Sequence, residues 1–287
     1  MENIKNKIIV GLIGLLVLLN IISWDEVSRL SSGNDLMVDF LNVGQGDSIF
    51  ITTPGNQQIL IDGGPDSTVL EKLSKEMPVY DKTIELIVLT HPEKDHLAGL
   101  LDVLRRYRVK NILWTGIVKN TAEWQEWDRL IKEEGANIKI AEAGDRVVLQ
   151  KDNPTIFFDI LNPGEDLSGR EFEDSNDTAT VLCLTVGEKK FLFTGDIGFG
   201  VENQLIKENI VADVLKVAHH GSKYSTSEEF LKQLSPNVAV ISVGQNTYGH
   251  PTDELLARLN NFGIDIKRTD RDGDIKIFSN GEIITYK

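Results

Sequence analysis

Residues 90–100 read THPEKDHLAGL, and they place two histidines, an aspartate and a glutamate between positions 91 and 96. The run before them, IELIVLT, is continuously apolar at its end, as in a strand buried on both faces. The run after them, LAGLLDVLRRY, carries the spacing of an amphipathic helix. His91, Glu93, Asp95 and His96 therefore fall on a loop between a strand and a helix. Such a loop either anchors metal or is the charged, solvated start of a helix.

The rest of the chain decides between these readings. All five histidines, His91, His96, His219, His220 and His250, lie in three short segments that each follow a strand-like run. IELIVLT leads into HPEKDH, DVLKVA into HHGS, and NVAVISVG into QNTYGHP; a fourth run, KKFLFTG, leads into Asp196. Ligands in open α/β sheets collect beyond the carboxyl ends of strands. Four such ends bearing histidine or aspartate are expected to converge on one rim and bind metal.

Outward from these segments the chain alternates strand-like and helix-like stretches from Met37 onward. RVVLQ, TIFFDIL, TATVLCLTV and KKFLFTG read as an antiparallel set, and IDIKR, DIKIFS and EIITYK as closing strands. Strands in two batches, each interspersed with helices, predict an α/β fold with two sheets packed together and helices outside. STSEE (225–229) and Thr252 with Asp253 and Glu254 read as helix caps, and TDRDGD (269–274) as a turn rather than a calcium loop.

A net charge of −14 gives no overall field that attracts nucleic acid, so a phosphate-bearing substrate needs a local cationic site. The one cysteine, Cys183, lies in an apolar run and excludes both an internal disulfide and a cysteine zinc site. Ile8–Ile22 is apolar except for Asn20, follows Lys5 and Lys7, and precedes Trp24. Residues 1–24 are read as a membrane anchor or signal segment, 25–35 as a polar linker, and 36–287 as the globular domain. The lysines place the domain outside the cell membrane on a single span, with secretion as the alternative.

The quoted segments resemble the metallo-β-lactamase superfamily. Its H-x-H-x-D-H signature reads here His91-x-Glu93-x-Asp95-His96, and its later Gly-Asp is matched by Gly195-Asp196. The segments FLNVGQGDSIFI, ILIDGG, LTHPEKDHLAGL, NDTATVLCLTVGEKKFLFTGD, DVLKVAHHGS and VGQNTYGHP resemble, within it, the extracellular domain of ComEC-type competence proteins. That resemblance implies an αββα sandwich, two mixed sheets face to face with helices outside. It also implies a nuclease that attacks DNA with a metal-bound hydroxide, and a DNA-uptake channel as partner. Full ComEC-type proteins carry many membrane helices; with one apolar span at most, this chain is not expected to form the channel by itself.

The resemblance assigns two divalent ions to His91, Glu93, Asp95, His96, Asp196 and the His219-His220 pair, with Asp196 bridging. Either of the adjacent histidines can be the ligand. Glu93 and Asn176 stand where many members have histidine, so oxygen replaces nitrogen and Mn²⁺ is favoured, with Zn²⁺ the alternative. Two divalent ions against three carboxylates and a hydroxide leave the site near neutral. Asp95 and His250 are the candidate catalytic residues; His250 is read as a phosphate contact or the acid for the leaving oxygen. Asp47, Asp62, Asn176, Ser222 and Lys223 are candidates for touching substrate or supporting the ligands. Other readings are a different hydrolytic substrate (a cell-wall phosphoester, lactone or β-lactam) and a non-catalytic, metal-folded DNA-binding domain. The sequence leaves the oligomeric state open.

Overall fold

The structure, a computed structural model, describes residues 35–151 and 154–286 together with Lys7, residues 11–14 and Leu16. Most of the expected membrane segment and of the linker lies outside the described residues. Among the described residues no helix is long and apolar enough to cross a membrane. The chain divides into two compact units, 1–35 and 36–287, and the second carries every element below.

The first sheet opens with an antiparallel meander of β1 (Leu36–Phe40), β2 (Ile49–Thr52) and β3 (Gln58–Ile61). It continues in parallel through β4 (Thr83–Leu89), β5 (Arg108–Trp114) and β6 (Asn137–Ile140). The second sheet runs antiparallel from β7 (Arg146–Gln150) through β8 (Ile156–Asn162) and β9 (Val181–Val186) to β10 (Lys189–Phe193). It turns parallel through β11 (Val214–Lys216), β12 (Val238–Ile241) and β13 (Asp265–Arg268). The chain then crosses back: β14 (Ile275–Ser279) pairs with β1, and β15 (Ile284–Tyr286) with β14. Each sheet is therefore mixed, and its parallel half is the part interleaved with helices, because parallel neighbours need long crossovers.

Three apolar layers follow. Between the sheets lie alternate residues of facing strands, among them Val38, Phe40, Ile51, Phe158, Leu184 and Phe193. α1 (Thr68–Glu76), α2 (Lys94–Arg106) and α3 (Ala122–Glu134) cover the first sheet through Leu73, Leu100 and Trp127. α4 (Phe199–Leu205), α5 (Glu228–Leu234) and α6 (Asp253–Asn261) cover the second through Val201, Leu231 and Leu255. The expected caps are formed: Ser227 accepts from Phe230 N and Thr252 from Leu255 N. The segment read as a turn at 269–274 opens with one helical turn, α7 (Thr269–Asp272).

On the helix-facing side of β1 one polar residue is caught. Asp39 is fully buried, and neither carboxylate oxygen has a hydrogen-bond partner among the described residues. Its register partner Lys276 stands 3.7 Å away but is itself held by Glu76 at 2.5 Å. Burial pushes the Asp39 carboxyl up to about 7, with Lys276 pulling in the opposite direction.

Two close backbone approaches place the first site loop. Gly63, just past β3, donates to His96 O at 2.7 Å, and Gly99 in α2 donates to Gly64 O at 3.0 Å. A Cβ on Gly99 would stand 1.9 Å from Gly63 O, so only glycine lets the helix start sit this near the strand end.

Candidate metal centre

Three of the four strand ends singled out in the sequence meet, and the fourth brings His250 to the same cleft. β4 delivers His91, the first turn of α2 delivers Asp95 and His96, β10 delivers Asp196, and the turn after β11 delivers His220. Asp95 in that first turn also lies where the helix dipole favours an anion. Ligand atoms of His91, His96 and Asp196 lie within 4.8 Å of one another, and so do those of Asp95, His96 and His220. The two groups share His96. Asp196 Oδ2 joins them, 3.4 Å from His96 Nε2 and 3.3 Å from His220 Nε2.

The outer nitrogens are the test of whether metal fits. Nε2 of His91, His96 and His220 is buried in each case and has no hydrogen-bond partner among the described residues. The opposite nitrogens are all engaged. His96 Nδ1 lies 2.8 Å from Asp62 Oδ2, and His220 Nδ1 lies 2.8 Å from Ser242 O, an acceptor only. Thr90 Oγ1 donates to Asp62 Oδ2 at 2.7 Å, so its lone pairs accept from His91 Nδ1 at 2.9 Å. These contacts put the proton on Nδ1 and turn the Nε2 lone pairs inward, the arrangement that metal-ligating histidines adopt. Three buried, unpartnered imidazole nitrogens beside two carboxylates fit divalent metal.

A proton competes with metal for two of these nitrogens. Burial would lower His96 and His220, but Asp196 first, then Asp62 and Asp95 beside His96 and Asp95 and Asp47 beside His220, outweigh it. They hold His96 well above the usual imidazole range and raise His220 to about 10. Burial likewise opposes ionisation of Asp95 and Asp196, yet the facing histidines hold both below the usual carboxylate range. His91, where burial wins, is held well below 6.5 and stays neutral. The site thus pulls strongly on positive charge.

The turn at 219–221 answers which of the adjacent histidines points inward. His219 and His220 both have left-handed φ of 51° and Gly221 has φ 90°, a costly run for side chains with a Cβ. The turn sets the two rings at 80° to each other, 6.3 Å apart. His220 enters the ligand group, while His219 lines the cleft above it.

That cleft, of about 300 Å³, is lined by Asp95, Asp196, His219, His220 and His250, with Glu93 and Asn176 on one side. Glu93, expected among the ligands, lines the cleft on this side. Lys119, from the segment after β5, and Ser175 both donate to its Oε1, and it belongs to neither ligand group. Asn176 opens a turn of 3₁₀-helix, its N–H held by Asp174. Ser222 and Lys223 do not line the cleft; Ser222 Oγ accepts from Tyr224 N, and Lys223 lies over the Tyr224 ring. Asp47 and Asp62 lie beneath the ligands, buried, and Asp62 takes left-handed φ to reach both Thr90 and His96.

One residue the sequence reading passed over completes the floor. Lys216, on β11, is 1% exposed. It donates to Gly195 O at 2.9 Å, pairs with Asp47 Oδ2, and stands 3.4 Å from Asp196 Oδ1. Burial alone would lower its pKa, but Asp47 and then Asp196 raise it, so the ammonium stays charged. Its signal was a lysine inside the otherwise apolar run DVLKVA.

Comparison with known proteins follows the same lines. The chain is 32% identical over 271 residues to ComE operon protein 3 of Bacillus subtilis (strain 168), covering 87% of this chain and 34% of that protein. It is 30% identical over 251 residues to Competence protein ComA of Neisseria gonorrhoeae, covering 85% and 32%. The chain thus spans about a third of the length of these relatives. Among solved structures, Igni18, a novel metallo hydrolase from the hyperthermophilic archaeon Ignicoccus hospitalis KIN4/I, superposes with a TM-score of 0.54. It shares 20% identity over 84% of this chain and 98% of its own, a likeness of fold. Residues 41–245 match the family profile of the metallo-beta-lactamase superfamily. With its two mixed sheets, outer helices and converging histidines and aspartates, the chain belongs to the metallo-beta-lactamase superfamily.

Proposed function

We propose that the protein is a membrane-tethered, extracytoplasmic phosphodiesterase that holds two divalent ions and cleaves DNA. The observation that carries this reading is the meeting of three unpartnered imidazole nitrogens with Asp95 and Asp196 at the floor of one cleft. The His96 and His220 nitrogens that stand on either side of the Asp196 carboxylate suit a pair of ions. Three nitrogens shared between two ions is a nitrogen-poor set, which supports Mn²⁺ working at least as well as Zn²⁺. DNA as substrate is supported by the competence proteins among the relatives. The tether rests on the apolar segment 8–22.

Bound by His91, His96, His220, Asp95 and Asp196, such a pair supplies Lewis acidity and an acidified water. The protein's own groups do the rest. Asp62 and Thr90 lock His91 and His96 in their tautomers, and Ser242 O locks His220. Lys216 neutralises Asp47 beneath them. His250 sits at the rim with its Nδ1 unpartnered among the described residues. Burial, then His219 and His220, holds it below the usual imidazole range, so it presents a neutral ring to a phosphate or leaving oxygen.

The test is cleavage of single- and double-stranded DNA by the purified protein with Mn²⁺ or Zn²⁺, beside a lactone and a β-lactam. DNA cleavage that His96→Ala abolishes is expected. Turnover of the lactone or β-lactam with DNA untouched would sink the reading.

A further inference from the structure

The cleft is lined by two unlike sets of residues. One is acidic, with Glu93, Glu173 and Asp174. The other is a file of rings that leads outward from the ligand His220. His219 lies 6.3 Å from His220 between ring centroids, His250 lies 5.5 Å from His219, and Tyr248 lies 5.9 Å from His250. Tyr248 ends the file and is 74% exposed. Lys119 pairs with Glu93, but Glu173 and Asp174 keep the first set net negative, so the second is the better path for a phosphodiester chain.

The loop that carries Tyr248 is built to present it. Asn246 spends its whole side-chain amide on its own loop. Its Oδ1 accepts from Tyr248 N and His250 N, both at 3.1 Å. Its Nδ2 donates to Gly244 O at 2.9 Å and His250 O at 2.8 Å. Gly244 N in turn donates to Gln45 Oε1 at 3.3 Å, and Gln45 lines the cleft. An exposed aromatic ring on a loop tied at this many points is held out in water without the entropy that a mobile loop would lose on binding.

We propose that Tyr248 is a stacking platform for the unpaired base of a nucleotide flanking the phosphate at the metal centre, which makes the substrate single-stranded. This rests on the phosphodiesterase reading above. A base offers an apolar π-face that Tyr248 can cover, and stacking tolerates any base because each has such a face. A base inside a duplex has both faces covered already. Stacking by itself selects no one base, so little sequence preference is expected from Tyr248.

The test is a cycle between protein and substrate. Binding of a short single-stranded oligonucleotide is compared with that of the same strand abasic at the nucleotides flanking one phosphate. Both are measured by fluorescence anisotropy with Ca²⁺ present, and cleavage is followed separately with Mn²⁺. Stacking of one base contributes about 5- to 150-fold in affinity. The wild type should lose that much when the base is removed. Tyr248→Ala should show less than a twofold difference between the two strands, and Tyr248→Phe should recover the wild-type difference. A 2-aminopurine at the flanking position should be quenched on binding to the wild type and to Tyr248→Phe but not to Tyr248→Ala. An equal abasic penalty in all three proteins, or a duplex bound as tightly as the single strand, overturns the platform and leaves the phosphodiesterase reading standing. Absence of both binding and cleavage of every DNA overturns the two together.

Discussion

Replacing Lys216 by methionine keeps an unbranched apolar stem on β11 and removes only the charge. In the native protein that ammonium is 1% exposed and sits on Asp47, Gly195 O and Asp196. Its pKa is raised, so the paired, charged form is the one that folding favours. That stabilisation is complete below the unfolded lysine pKa of about 10.4 and is lost only above it, so it is fully present at neutral pH. Taking away one partner leaves Asp47, buried at 2% exposure, without its nearest cation, and with only His220 Nδ1 at 3.5 Å and His96 Nδ1 at 3.8 Å to face it. Breaking a buried pair this way costs about 3–5 kcal/mol. For a domain of this size that corresponds to a fall in Tm of about 6–20 °C. Thermal and urea unfolding in EDTA should show this loss for Lys216→Met. Saturating Mn²⁺ should then restore more stability to the variant than to the wild type, because the ions meet a site with one fewer positive charge. A variant as stable as the wild type in EDTA would refute the reasoning, since Lys216 would then not be compensating the acids beneath the ligands.

Asp39 predicts a pH dependence of opposite cause. Its folded pKa of about 7 exceeds the unfolded value of about 3.9, so between those values the native state holds more protons and stability falls as pH rises. The whole window corresponds to about 4 kcal/mol, of which about 2–3 kcal/mol falls between pH 5 and pH 8.5. Asp39→Asn has no proton to lose, so its stability relative to the wild type should rise by that amount over this interval in urea titrations; parallel curves would exclude the effect. Asp62→Asn should weaken divalent-ion affinity by about 10- to 100-fold in equilibrium dialysis, because Asp62 orients His96 and Thr90 from beneath. Unchanged affinity would show that the histidine tautomers are set elsewhere.

The ligand-bearing ends were legible because each combined two local signals, an apolar strand run and a histidine or aspartate just beyond it. His91, Asp95, His96 and Asp196 needed no long-range information. The Glu93 partnership could not be read, because Lys119 and Ser175 reach it from segments 26 and 82 residues away. Choosing His220 over His219 required the left-handed turn that swings the two rings apart. β6 went unread because its residues Asn137–Ile140 are almost all exposed and show no alternation of buried and open positions. The closing strands were seen, but not that β13 joins one sheet and β14 the other, since pairing partners leave no trace in local periodicity. Lys216 was read as part of an apolar strand, although a charged residue there was itself the anomaly.

The contact between Gly63 and Gly99 has no side chain in it. The distance from Asp62 to His96 is therefore gauged by main chain against main chain. Mutations that shrink or swell the distant hydrophobic layers should change how long the molecule survives heating, while the chelating span stays at its original calibration.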